Sequence, residues 1–375
     1  MRAARKTMLE QTLTTDLRRF SALKPPAKRA AYSDRTAWLM AILSELAYMQ
    51  FDEEDRSRLL DLATELAELN DRVAIADKLM AVAGRLETVG GTGNERLRSI
   101  LEIGGFELLG VLYDAQTDTQ GFVAVRRRDG GPGMAVVSFR GTQQVRDWMT
   151  NLRVDKVDVR SDKLDSNKLL GYVHTGFNEA FRSVESRIDE CLQDCEDYPL
   201  YFTGHSLGGA LATLATWYTA GSRLAACYTF GAPRVGDSGL ADRFRTPIYR
   251  IVNGADPVPM VPPVGFTIEC LKAISRAAGV FFSPFNLLTR RLRRYQGYRH
   301  YGFQRYLSIC DEGPDGTYPR LRNEYGIGSF QRLWRYCRQW LFGEISTNKR
   351  LVKYHDIGAY RVKLREYAIR RQRRE

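Results

Sequence analysis

The stretch that decides the fold is YFTGHSLGGALATLA, residues 201–215. Apolar and β-favouring residues before Gly204 predict a buried strand, and the Ala/Leu/Thr run after Ser206 predicts a buried helix. A strand that turns directly into a helix strains the residue at the turn, and Gly204 and Gly208 leave room for that close approach. We therefore expect the Ser206 hydroxyl at the carboxyl edge of a sheet, beside the positive N-terminal end of the helix. A tightly packed Gly/Ser turn without chemistry is the alternative.

The composition is that of a chain able to bury a large core. It has 375 residues, 44% of them hydrophobic, a formal charge of +12 and a pI near 9.4. These values fit one large domain or two smaller ones. Much of the positive charge lies near the C-terminus, where a basic tail suits either anionic lipid or a solvated helix face. No aromatic-interleaved basic motif is present, so we expect no nucleic-acid partner.

The sequence shows neither a secretory leader nor a membrane span. The N-terminal residues carry early positive charge without an apolar run after it, and the longest apolar runs are too short to cross a bilayer. The six cysteines have no metal-site spacing and no disulfide-framework density, which favours small buried side chains. We expect a cytoplasmic location by default, with export by another route as the alternative. The sequence gives no oligomeric state.

The order of predicted elements indicates an α/β protein. Residues 1–100 form a predicted helical region packed on the core, with helices over 37–48, 56–69 and 71–86 and caps at Ser33 and Asp34. Short strands are predicted at 106–113, 120–125 and 134–139, with further strands ending at Val173, Thr203, Phe230 and Val252. Helices are predicted between these later strands, over 176–195, 207–221 and 236–244. This alternation predicts a mostly parallel sheet covered on both faces, as the catalytic core over residues 101–325. Residues 326–375 form a predicted basic helical extension.

A serine nucleophile needs a base, and the chain has four histidines from which to choose it. The side chain of His205 should diverge from that of Ser206, and His174 precedes the nucleophile. Because this fold places its triad in the order Ser, Asp, His, only His300 and His355 remain. We favour His300, which lies in a loop-like context. His355 lies in the C-terminal extension, where capping or packing is its other interpretation.

The carboxylate is predicted at Asp256, in the turn directly after the strand at residues 249–253. Catalytic groups in a parallel sheet lie just past the strand ends, and Asp256 meets that condition. Asp237 and Asp242 are rivals, but both lie near a predicted helix start, where capping is the expected role.

Two backbone amides are predicted to hold the oxyanion. One is the N–H of Leu207, the residue after the nucleophile, and the other is the N–H of Thr142, with its hydroxyl as an optional donor. Thr142 follows a strand that ends at Phe139, and Gly141 permits a close turn there. An ordinary Gly-Thr turn is the alternative.

These residues belong to motifs that resemble the class 3, fungal-type, lipases of the α/β-hydrolase superfamily. Seven motifs occur in family order over roughly residues 100–310. They are FRGT at 139–142, DWxxNL at 147–152, VHxGF at 173–177, TGHSLGGALA at 203–212, TFGAPRVG at 229–236, NxxDxVP at 253–259 and YxHxG at 298–302.

The resemblance implies an α/β-hydrolase fold and a triad of Ser206, Asp256 and His300. It also implies an oxyanion hole of Thr142 and Leu207, and a lid after Thr142. No metal or organic cofactor is needed for this chemistry. The substrate implied is a lipid ester.

One insert departs from the family pattern. Residues 271–296 are unusually apolar and basic, with phenylalanines and leucines beside the arginines at 290, 291, 293 and 294. Such a segment suits a lid, or an interface element that docks on anionic phospholipid. A helical hairpin packed on the core or on another subunit is the alternative. The insert makes phospholipase A activity a second hypothesis beside lipase or esterase activity. A catalytically silent scaffold that binds a lipid or a protein is the alternative of another class.

Overall fold

The computed structural model describes residues 2–22, 31–49, 93–127, 133–142, 156–160, 169–219, 223–262, 297–310, 317–328, 331, 334 and 354–372. Several predictions fall outside these residues. They are the helices at 56–69 and 71–86, the DWxxNL motif, the lid after Thr142, the insert at 271–296 and much of the extension from 326. The division into regions 1–100, 101–325 and 326–375 stays a prediction.

The described part of the chain is built on an eight-stranded sheet. Its strands are, in spatial order, β1 (Glu107–Asp114), β2 (Thr119–Arg126), β3 (Met134–Phe139), β6 (Leu200–His205), β7 (Leu224–Phe230), β8 (Ile248–Asn253), β9 (Phe303–Leu307) and β10 (Asn323–Tyr325). Strands β3, β6, β7, β8 and β9 run parallel, whereas β1, β2 and β10 pair antiparallel with their neighbours. Strands β4 (Lys156–Arg160) and β5 (Leu169–His174) form a separate antiparallel ribbon.

Helices cover both faces of the sheet. The helices of the described residues are α1 (Arg2–Ala22), α2 (Asp34–Leu46), α3 (Gly93–Ile103), α4 (Thr175–Leu192), α5 (Leu207–Tyr218) and α6 (Ile357–Gln372), with short 3₁₀ helices at Gln193–Cys195, Ser238–Arg243 and Val258–Met260. One core cluster joins α4 and α5 to the sheet, and a second joins α1, α2, α3 and α6 to the opposite face. Both ends of the chain therefore pack on the same side of the sheet.

The strand residues explain this two-sided burial. Every residue of β2, β3, β6 and β7 is buried. In β2, Phe122 and Ala124 enter one core cluster, and Val123 and Val125 enter the other. Successive side chains of a strand point to opposite faces, so a continuous apolar run fills both layers. This sheet, with a nucleophile turn after a central strand, has the mostly parallel architecture of an α/β-hydrolase.

Most predicted elements are confirmed, but one helix is shorter than predicted and some strands were not predicted. The strands predicted at 106–113, 120–125 and 134–139 and the helices after 175 and 206 are present within a few residues. The helix predicted at 236–244 is a shorter 3₁₀ helix, Ser238–Arg243. Strands β4, β9 and β10 were not predicted. The predicted cap Ser33 accepts a hydrogen bond from the Thr36 N–H at 3.3 Å and starts α2.

Candidate active site

Ser206 lies in a strained turn between the central strand β6 and helix α5. Its φ of 57° and ψ of −126° are unusual for a residue with a side chain. The three glycines around it allow this turn to be tight. A Cβ on Gly208 would lie 2.7 Å from the Phe139 carbonyl carbon, and one on Gly209 would lie 2.7 Å from the Ala232 Cβ. Gly204 packs directly against the backbone of Gly208. The end of strand β6 therefore places Ser206 directly before the first turn of α5.

The imidazole that lies beside Ser206 is that of His355. Its Nε2 lies 2.9 Å from Ser206 Oγ, and its Nδ1 lies 2.9 Å and 3.0 Å from the two oxygens of Asp256. An ionised carboxylate only accepts hydrogen bonds, so Nδ1–H is the donor and Nε2 is left to accept from the serine hydroxyl. All three residues are buried. The arrangement is the serine, histidine and carboxylate geometry of nucleophilic catalysis.

The prediction that His300 is the base is wrong. The Nε2 atom of His300 donates to the Pro259 carbonyl at 2.7 Å, so this imidazole is tied to a loop backbone. His300 precedes β9, which runs parallel to β8, so the chain enters β9 at the edge where the parallel strands begin. Ser206 and Asp256 lie at the other edge, past the carboxyl ends of β6 and β8. His355, which sequence reasoning left as the alternative, lies two residues before helix α6 and contacts both Ser206 and Asp256.

Asp256 is held by more than the imidazole. Its Oδ1 accepts the Val258 N–H at 2.9 Å, and its Oδ2 accepts the Tyr360 hydroxyl at 2.5 Å. Gly231, with a φ of +59°, makes space for this cluster, because a Cβ there would lie 2.5 Å from Asp256 Oδ2 and 3.0 Å from the Tyr360 hydroxyl. Sequence reasoning found Asp256 from its strand end but missed Tyr360.

A second network fixes the backbone of His355. The Asn253 side chain donates to the Tyr354 carbonyl at 2.9 Å, and its backbone N–H donates to the Tyr360 hydroxyl at 3.1 Å. The buried Lys363 ammonium donates to Asn253 Oδ1 at 2.9 Å and to the Ser308 carbonyl at 3.1 Å. The end of strand β8 therefore anchors the segment that carries the imidazole.

His205 supports the site without being its base. Its Nε2 donates to the His355 carbonyl at 2.6 Å, which leaves Nδ1 to accept from the Tyr48 hydroxyl at 2.7 Å. This pattern needs a neutral ring. Burial, and then the nearby His355, lower the pKa of His205 well below its usual range. Burial also raises the pKa of Tyr48, so its phenol keeps the proton that it donates.

The loop after β3 lies against the nucleophile. A Cβ on Gly141 would lie 2.6 Å from the His205 carbonyl oxygen and 2.9 Å from Ser206 Cβ. Thr142 is the next residue, and Leu207 is the first residue of α5, whose N–H has no carbonyl partner within the helix. The oxyanion role of these two amides stays a proposal.

The other candidates have different positions. His174 caps α4, where its Nδ1 accepts the Phe177 N–H at 3.3 Å. Asp237 accepts the N–H groups of Tyr172 and Gly239 at 3.2 Å and 3.0 Å, in the capping role expected for it. The side chain of Asp242 lies outside the described residues.

Part of the chain is similar to a known protein family. Residues 136–266, which include Ser206 and Asp256, match the model of the family described as Lipase (class 3). This region is therefore similar to class 3 lipases. His355 lies beyond the matched residues.

Proteins similar to this chain include lipases and a phospholipase. The chain is 34% identical over 167 residues to a secreted mono- and diacylglycerol lipase of Fusarium solani, covering 42% of this chain and 47% of that one. It is 35% identical over 151 residues to an Arabidopsis thaliana phospholipase A(1), covering 34% of each chain. A solved lipase of Rhizopus microsporus var. chinensis is 27% identical, with a TM-score of 0.40, covering 56% of this chain and 64% of that one. The chain spans less than half the length of these two curated relatives.

The expected cytoplasmic location is not supported by these names, since the Fusarium relative is named as secreted. Among the described helices, none has the length and apolar character needed to cross a membrane.

Proposed function

We propose that the chain is a serine hydrolase that cleaves carboxylic esters of lipids through Ser206, His355 and Asp256. The observation that carries the proposal is the continuous hydrogen-bonded line from the Ser206 hydroxyl through His355 to the Asp256 carboxylate. The class 3 lipase match over residues 136–266 supports it.

The first step forms an acyl-enzyme. As Ser206 Oγ attacks the ester carbonyl, its proton moves to His355 Nε2, and Asp256 stabilises the imidazolium through Nδ1–H. The amides of Leu207 and Thr142 stabilise the negative oxygen of the tetrahedral intermediate. When this intermediate collapses, the ester C–O bond breaks and the alcohol leaves with the proton from His355.

Water completes the reaction in the second step. His355 takes a proton from a water molecule, which attacks the acyl-enzyme carbonyl, and the same two amides hold the oxyanion. The C–O bond to Ser206 then breaks. The serine recovers its proton from the imidazolium, and the acid is released.

A fluorophosphonate probe tests this function. Such a probe forms a covalent bond only with a serine that is activated by its base. We expect the probe to label the wild-type chain but not the Ser206→Ala variant. That variant should also lose p-nitrophenyl ester hydrolysis. A folded wild-type chain that takes up no probe would contradict the proposal. That outcome would favour the silent scaffold that binds a lipid or a partner protein.

Phospholipase A activity is the second candidate, because one matched relative is named as a phospholipase A(1). The basic insert at 271–296, which lies outside the described residues, also suits an anionic surface. Release of fatty acid from anionic phospholipid liposomes, compared with release from emulsified triacylglycerol, separates the two activities. We expect the faster release to identify the substrate class.

A further inference from the structure

Helix α6 contacts the active site on one side and the N-terminal helices on the other. On the site side, Tyr360 donates to Asp256, and Lys363 donates to Asn253 at the end of β8. On the opposite side, Arg361 pairs with Asp16 of α1 and, at 2.5 Å, with Glu45 of α2. The helix is therefore fixed between the sheet and the start of the chain.

The ion cluster of Asp16, Glu45 and Arg361 is deeply buried. Asp16 is 0% exposed, Arg361 4% and Glu45 5%. Arg365 adds a further pair to Asp16 at 3.3 Å. Burial alone would lower the pKa of the Arg361 guanidinium, but the carboxylates of Glu45 and Asp16 outweigh this and raise it. The guanidinium therefore stays charged, and it donates one N–H to Asp16 of α1 and another to Glu45 of α2.

A buried ion cluster is a poor source of stability, because removing charges from water costs about as much as their attraction returns. Apolar residues of similar volume often stabilise a core equally well. A guanidinium differs from an apolar side chain because its interactions are directional. Its planar set of N–H donors holds two carboxylates at defined angles. The cluster thus fixes where α6 lies along and around its axis.

The position of α6 determines the position of His355, because a short rigid connection joins the two. Asp356 separates His355 from the helix and caps it, accepting the Gly358 N–H on its side chain at 3.0 Å and the Ala359 N–H on its carbonyl at 3.0 Å. His355 lies less than two helical turns before Arg361. A rotation or slide of α6 would therefore move the imidazole relative to Ser206.

We infer that Arg361 is a positioning residue through which the N-terminal helices α1 and α2 hold His355 within reach of Ser206. The inference rests on the proposed function. It gives helices α1 and α2 a part in catalysis although they contribute no member of the triad.

The test compares Arg361→Met with a matched control, Arg371→Met. Arg371 lies on the same helix and pairs with Asp34 of α2 at 2.9 Å, but its side chain is 61% exposed. The measurements are kcat and KM for a soluble ester and the rate constant of Ser206 labelling by a fluorophosphonate, all well below each variant's melting temperature. We expect Arg361→Met to lower kcat and labelling by about ten- to a hundredfold, with KM little changed. Arg371→Met should stay within about twofold of wild type.

Two further variants separate positioning from folding. Arg361→Met leaves two carboxylates buried together, whereas the triple variant Asp16→Asn, Glu45→Gln, Arg361→Met carries no charge at these three positions. Arg365, whose side chain is 23% exposed, stays charged beside them. Arg361→Lys keeps the positive charge but loses the planar set of guanidinium N–H donors. We expect both to fold and to lower kcat without raising KM. Wild-type kcat in the folded triple variant, or in Arg361→Lys if the triple variant does not fold, would overturn the inference. Failure of the wild-type chain to react with the probe would instead overturn the proposed function.

Discussion

At the scale of single residues, Asp256 accepts more hydrogen bonds than the orientation of one imidazole requires. The Tyr360 hydroxyl and the Val258 N–H hold the carboxylate from two sides while His355 contacts it from a third. A hydrogen bond to a charged group contributes about 1.5–3 kcal/mol. This carboxylate is therefore fixed in the plane in which it can orient the histidine.

Tyr360→Phe tests that orientation by removing one oxygen atom while keeping the ring. We expect kcat for ester hydrolysis to fall about tenfold, because Asp256 gains freedom to rotate away from His355, with a stability loss of about 1.5–3 kcal/mol. Kinetics with a soluble ester and chemical denaturation measure the two effects. Tyr367→Phe, two turns further along α6, is the control. Equal kcat values in the two variants would show that Tyr360 does not orient the carboxylate.

The error over His300 has a physical origin that the sequence partly contained. Chain order left two histidines after Asp256, and the motif around residue 300 favoured the wrong one. Recognition of β9 at residues 303–307 as a parallel strand would have excluded His300, because catalytic groups follow strand ends and His300 precedes a strand. For His355, the sequence signal is Asp356 as a cap followed by a helix that carries Tyr360. Its convergence on Ser206 depends on packing between distant segments, which no local pattern encodes.

At the scale of elements, the contact between β3, β6 and the first turn of α5 decides whether the nucleophile is formed. Gly208 is the second residue of α5, and it lies against the backbone of Phe139 and Arg140 at the end of β3. The same contact brings the Gly141–Thr142 loop to the nucleophile. Sequence reasoning predicted this strand, turn and helix because local signals specify all three.

Gly208→Ala is expected to separate these elements. The added methyl would lie 2.7 Å and 2.8 Å from backbone carbons of Phe139 and Arg140, so the strand end or the helix must shift. We expect a loss of about 1–3 kcal/mol or more in the free energy of unfolding, together with loss of activity. Denaturant titration and ester hydrolysis measure both.

The matched control is Gly176→Ala, at the second residue of α4. A Cβ there meets nothing closer than His174 Cε1 at 3.4 Å, which is an ordinary contact. Alanine is a better helix residue than glycine by about 0.5–1 kcal/mol, so we expect no loss of stability. If Gly208→Ala were as stable and active as Gly176→Ala, the close approach at the nucleophile turn would have no importance.

At the scale of the whole molecule, the two ends of the chain meet on one face of the sheet, and the site depends on their meeting. Helices α1, α2 and α6 share one core cluster with the sheet. Buried groups bridge these regions, and His205 does so between Tyr48 and His355. Protonation of such a group should therefore change the free energy of unfolding of the chain.

His205 gives a prediction for the pH dependence of stability. Its folded-state pKa is depressed, whereas the unfolded chain takes up the proton near pH 6.5. The contribution of neutral His205 is therefore fully present above about pH 6.5 and is lost as the pH falls below it. For a ring that stays neutral in the folded chain down to pH 5, this amounts to about 2 kcal/mol between pH 7 and pH 5.

His205→Gln removes the titrating group and isolates this contribution. We expect the stability difference between wild type and His205→Gln to be smaller at pH 5 than at pH 7 by about 2 kcal/mol. Urea denaturation at the two pH values measures it. A difference that does not change with pH would mean that His205 does not stay neutral in the folded chain.

The measurement that tests the account most directly compares ester hydrolysis by His355→Ala and His300→Ala, each shown to be folded by circular dichroism. Because His355 is the proposed base, we expect its loss to lower kcat by about four orders of magnitude or more. His300→Ala, which removes the hydrogen bond to the Pro259 carbonyl, should stay within about tenfold of wild type. Loss of activity in His300→Ala with activity retained in His355→Ala would contradict the account.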